Sequence, residues 1–189
     1  MNHNFIAELD ALWERYNRVR ALGSKKLRKQ AESILNTYIE CLQKLTPDVL
    51  AVYAEHLCTK TLDVLANAPD DYWLNGYWLF SPAGEEWWKE HGSKLPNPSF
   101  VPIRDTLMPE LLRRFNTRDA LATRWLGQIT TTLDKSICEK LDLPWPETDG
   151  LFFLEKSYTM QKDQLTLRLI VQRQMIFLLP RRLKMNLGK

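Results

Sequence analysis

The residues best suited to chemistry are few and badly placed for it. The three histidines are His3, His56 and His91. None has a second histidine or cysteine three or four residues away, the spacing that sets two ligands on one helical face. His56 and Cys58 are two apart and leave a helix in different directions, so His56 is expected to be a partly buried helix side chain. The acidic pairs Asp70-Asp71 and Glu85-Glu86 stand where helices begin, and carboxylates there complement the helix dipole. Leu22-Gly23-Ser24-Lys25-Lys26 has the ending of a phosphate loop without the upstream glycine and preceding strand that let backbone N–H groups converge on phosphate, so it reads as a helix junction. A Gly-x-Ser-x-Gly elbow and a His-Glu-x-x-His helix are both absent from the sequence. The expectation is a non-catalytic protein with no metal and no cofactor. An enzyme would have to bring His56 or His91 to acids distant in the chain.

Charge gives a stronger signal. The net charge is only +3, yet bases outnumber acids 8 to 5 over residues 1–44 and 15 to 10 over residues 104–189, and fall to 3 against 8 between them. Lys25, Lys26, Arg28 and Lys29 open one helix, where cations oppose the dipole. Arg113, Arg114, Arg118 and Arg124 form a second group. Residues 161–189 hold seven bases, among them Arg181, Arg182 and Lys184, against Asp163 alone. Bases grouped in this way neutralise phosphates and release counterions. The favoured reading is therefore an accessory protein that contacts the backbone of DNA or RNA through Lys25, Lys26, Arg28, Lys29, Arg113, Arg114, Arg181, Arg182 and Lys184.

Seven of the 20 aromatic residues fall between Tyr72 and Trp88. Most large aromatics serve burial, and those left exposed make partner hot spots or stacking platforms for bases. Trp78, Trp87 and Trp88 are the candidates. The alternative function is a protein-binding adaptor or a subunit of an assembly, a homo-oligomer included, with helix stripes and the aromatic segment as interfaces.

The elements that must carry these residues are helical. Phe5, Leu9, Leu12, Tyr16 and Val19 step by four and three, and Leu27, Ala31, Ile34, Tyr38, Cys41 and Leu45 repeat the pattern beyond Gly23. Two such stripes on a short link suggest an antiparallel helical hairpin, with Ser24 as the second N-cap. Thr46-Pro47-Asp48 starts a third helix running to about Asn67. Residues 68–104 hold five of the ten prolines and are expected to be irregular apart from a short helix between Ser81 and Gly92. A short helix over Met108 to Phe115 behind Pro109 follows, then a long one capped by Thr117 and reaching Leu141. Leu151 to Leu179 carries a helical stripe, with a β-hairpin turning near Lys162-Asp163 as the alternative.

The expected fold is an all-α helical bundle, a single domain over 1–189 with possible sub-units at 1–67, 68–104 and 105–189. Glycine is scarce, at 7 residues, which points away from turn-rich β architecture. Cys41, Cys58 and Cys138 show no framework spacing and read as reduced core thiols. The acidic start lacks the pattern of an export signal, and the longest apolar run, Met175 to Leu179, is far short of the ~18 residues a membrane span needs. A cytoplasmic protein with no membrane span is expected.

Overall fold

The computed structural model describes residues 2–21, 25–75, 81–97, 100–130, 138–139, 142–143 and 149–186. Every extended element among them is helical: α1 (Asn2–Ala21), α2 (Lys25–Gln43), α3 (Pro47–Leu65), α4 (Asp70–Asn75), α5 (Pro82–His91), α6 (Val101–Asn116), α7 (Ala120–Ile129), α8 (Gly150–Met160) and α9 (Gln164–Asn186), with a 3-10 turn at Gly92–Lys94. The chain is all-α over these residues. It folds as two compact units, one of Met1–Asn67 with Pro82–Glu110 and the other of Ala68–Ser81 with Leu111–Lys189. The proline-rich segment is thus shared out: residues 68–81 belong to the second unit, and residues 82–104 to the first.

In the first unit the stripe of α1 buries Leu9 and Trp13, and α2 answers with Ala31, Ile34, Tyr38 and Leu42. Late residues of α1 meet early residues of α2, while Trp13 lies 5.7 Å from Tyr38, so the two helices run antiparallel. α1 also holds the chain beyond α5: the Trp13 indole donates to the Leu95 carbonyl at 3.1 Å and Asn17 to the Ser93 carbonyl at 2.9 Å. α3 buries Tyr53, Ala54, Leu57, Cys58, Thr61, Leu62 and Leu65. Pro47 and Asp48 occupy its first turn as expected, but the Thr46 hydroxyl makes no capping bond.

The second unit is tied by polar side chains reaching backbone groups, several of them at helix ends where the helix leaves N–H or C=O groups unpaired. Asp119 caps α7 by accepting from Ala122 N, and Asp149 caps α8 by accepting from Phe152 N, both at 3.0 Å. Ser157 donates to the Ala120 carbonyl at 2.7 Å, Arg173 to the Thr130 carbonyl at 2.9 Å, and Gln172 to the Leu74 carbonyl. α7 and α8 cross at two glycines, since a Cβ on Gly150 would sit 2.4 Å from the Gly127 carbonyl oxygen.

Several boundaries differ from the sequence reading: Asp70–Asn75 is helical where irregular chain was expected, and α9 runs to Asn186, past the expected end at Leu179. α6 starts at Val101 and continues through Pro109, because Ile103, Leu107 and Leu111 form a fully buried stripe four residues apart. An interior proline costs about 3 kcal/mol, whereas each such side chain contributes roughly 1.5–3 kcal/mol, so the stripe wins. Thr117 does not cap α7: it closes α6, its hydroxyl bonded to the Arg114 carbonyl, and Asp119 takes the cap two residues later. α7 ends at Ile129 with Thr130 extended, short of the expected Leu141. The last segment is helical on both sides of a break at Gln161–Asp163, which joins two helices, α8 and α9, not two strands.

Candidate nucleic-acid interface

The end of the α1–α2 hairpin gathers charge of one sign. Residues 18–29 contain Arg18, Arg20, Lys25, Lys26, Arg28 and Lys29 and no acid. Arg18 and Arg20 lie in the last turn of α1, where cations complement the dipole. Lys25 and Lys26 lie in the first turn of α2, which holds no acid, and there each cation costs about 0.3–1 kcal/mol. Helix stability therefore accounts for the first pair and opposes the second.

Beside these residues the two helices leave a cleft of about 350 Å3 lined by Tyr16, Val19, Arg20, Arg28, Ala31, Glu32 and Leu35. Val19, Ala31 and Leu35 make its apolar surface. Tyr16 contributes an aromatic ring to the lining, and that ring lies 5.2 Å from the Trp13 ring. Trp13 is itself 3% exposed and hydrogen-bonded to Leu95. Among the described residues, neither Arg20 nor Arg28 has a carboxylate or hydrogen-bond partner, although both are exposed.

The chain matches no family model, no curated protein and no solved structure.

The other residues singled out in the sequence fare differently. Lys29 is exposed beside Arg28. Lys25 and Lys26 belong to α2, and their side chains lie outside the described residues, as do those of Arg181, Arg182 and Lys184 in the last turns of α9. Trp78 is outside the described residues altogether. Arg113 is exposed at the end of α6, but Arg114 is half-buried and paired with Asp119 at 3.4 Å. Arg124, of the same group, is committed to the fold: it donates to Asp163 at 2.7 Å and to Thr166 Oγ1 at 2.8 Å, and its guanidinium lies 5.5 Å from the Trp73 ring centre. Trp87 and Trp88 are half-buried on α5. Trp87 lies 5.3 Å from His91, and Trp88 packs so closely on Gly92 that a Cβ there would come within 2.5 Å of its ring. Tyr16 and Arg20 were not singled out by the sequence reading. Their signal was the extension of the basic run back across Gly23 and the four-residue step between them.

His56 does meet a distant acid. Its Nε2 lies 2.9 Å from Asp10 Oδ2, which also accepts from Lys60 Nζ at 2.8 Å, and Lys60 reaches Glu14 at 3.2 Å. Burial opposes the Lys60 charge, but the bonds to Asp10 and Glu14 hold its ammonium above its ordinary pKa. Close by in sequence, Tyr53 shares a buried 3.0 Å hydrogen bond with Tyr38. Burial pushes the Tyr38 phenol up to about 12 and Tyr53 higher still, so both stay protonated. The network clamps α1 to α3, and none of its members lines the cleft. Among the described residues, no three His, Cys, Asp or Glu side chains converge to hold a metal ion, and no helix is long and apolar enough to cross a membrane.

Proposed function

We propose that this protein is a non-catalytic accessory factor that binds the phosphate backbone of nucleic acid through the end of its α1–α2 hairpin. The observation that carries the reading is the pair of exposed guanidiniums of Arg20 and Arg28, which have no partner among the described residues and lie within an acid-free run of six bases. Guanidiniums without an internal partner are available to phosphate oxygens, which they engage in bidentate fashion. Lys25, Lys26 and Lys29 extend the patch. Arg113 and the Arg181, Arg182 and Lys184 stretch are secondary contacts, and Arg114 is withdrawn from the set by Asp119.

Fluorescence anisotropy of labelled DNA and RNA, titrated at several salt concentrations, tests this reading. Micromolar or tighter binding that weakens steeply with salt is expected, and absence of binding at low salt sinks it.

A specific feature favours the adaptor reading as a second function. Leu167, Val171 and Met175 on α9 are 44%, 47% and 54% exposed, and their four-residue spacing makes one apolar stripe. A protein partner or a second copy covering this stripe would protect it from hydrogen exchange, and Val171→Glu would abolish that protection.

A further inference from the structure

Phosphate contact alone does not explain why the basic patch borders a cleft. We propose that the α1–α2 cleft receives an unpaired nucleobase, so that the protein selects single-stranded over duplex nucleic acid; this deepens the phosphate-binding reading and rests on it.

The volume of about 350 Å3 lies near the lower end of the roughly 300–1,000 Å3 of small-ligand sites, the scale of one nucleotide, not of a helix or a groove-filling element. Its walls combine the two components that single-strand binding uses, a cationic rim and an aromatic platform. Arg20 and Arg28 supply the rim, one from each helix. Tyr16 supplies the platform and is preorganised, because Trp13 braces its ring and is in turn fixed by the Leu95 carbonyl and by Tyr38. A base stacked on a ring that is already held loses less ordering entropy than one that must immobilise a free side chain. Val19, Ala31 and Leu35 offer apolar surface to the rest of the base.

Glu32 is the single carboxylate on the wall, and a site meant for a bare phosphate would have no use for it. A base presents amino and ring N–H donors on its Watson–Crick edge, and a carboxylate accepts from them. Those donors are occupied in a duplex and free in a single strand. Phosphates on the rim and a donor edge inside the cleft thus account for a site that holds both signs of charge.

Single- and double-stranded oligonucleotides of equal length are the probes, with 2-aminopurine, a fluorescent base quenched by stacking, placed in the single strand. The full-length protein is expected to bind the single strand at least tenfold more tightly and to quench the 2-aminopurine. Tyr16→Leu, which keeps bulk without the aromatic face, should weaken single-strand binding roughly tenfold and leave duplex binding unchanged. Leu35→Trp should do the same by filling the cleft from its rim, and it serves if Tyr16→Leu proves unfolded by circular dichroism. Equal binding of both forms, unaffected by either substitution, overturns the cleft inference and leaves phosphate binding standing. Failure of both forms to bind at low salt overturns the two together.

Discussion

Arginines of the hairpin end and arginines of the second unit do opposite work. In the second unit, Arg114, Arg124 and Arg173 are half-buried against Asp119, Asp163 with Thr166, and the Thr130 carbonyl, and Arg168 makes an exposed pair with Asp70. At the hairpin end, Arg20 and Arg28 border a cleft with no such partner among the described residues. The sequence counts these guanidiniums alike. The structure separates charge spent on holding helices together from charge left for a ligand, and only the latter marks a candidate site.

That contrast predicts a graded set of effects. Arg124→Met should be the most damaging, because the Arg124 side chain is only 11% exposed and its loss leaves the half-buried Asp163 carboxylate with no charge partner and only its Thr166 bonds. The expected cost is near the low end of roughly 3–5 kcal/mol in urea denaturation, with no change in the salt dependence of nucleic-acid binding. Acid should act on the same contact. Burial opposes the Asp163 charge, but the Thr166 bonds and the Arg124 guanidinium outweigh it and hold the carboxyl below its ordinary value of 3.8. A depressed folded value means that the stabilisation is complete above the unfolded pKa and disappears as pH falls through the folded one. Stability should therefore drop on acidification below about pH 4, and Asp163→Asn should flatten that part of the profile.

Arg168→Gln breaks only an exposed pair with Asp70 and should cost between about 0 and 1 kcal/mol. Removing Arg20 and Arg28 together should change stability by less than about 0.5 kcal/mol, since neither has a partner among the described residues. Thermal unfolding separates these two small effects from the large one. A double variant of the hairpin end that unfolds the protein would mean that those arginines also serve the fold.

Much of the helical frame was legible from the four-three spacing of apolar residues. The starts of α3 and α5 followed from Pro47 and Pro82, and the type of α8 and α9 from the stripe through Leu154 and Leu169. What local rules missed was decided by tertiary burial. Pro109 reads as a helix start in isolation, yet a stripe of three buried side chains carries α6 through it. Thr117 and Asp119 are both acceptable caps, and the choice fell on Asp119 because Arg118 turns the chain through a left-handed conformation (φ 64) and leaves Thr117 on the preceding helix. The candidate site was half legible. The basic cluster at Arg28 and Lys29 was visible as composition, but Tyr16 joins it only when the hairpin closes, and Arg114 leaves the list only when the turn after α6 brings Asp119 to it.

The most direct test removes two positive charges in two places. Arg20→Gln with Arg28→Gln, and Arg114→Gln with Arg168→Gln, have the same net charge and differ only in whether the lost guanidiniums had partners. The dependence of log affinity for a single-stranded oligonucleotide on log salt should flatten by about 1.4 in the first variant, at about 0.7 per lost phosphate contact, and stay at the wild-type slope in the second. Equal flattening in both would contradict the account, because net charge and not the hairpin end would then govern binding.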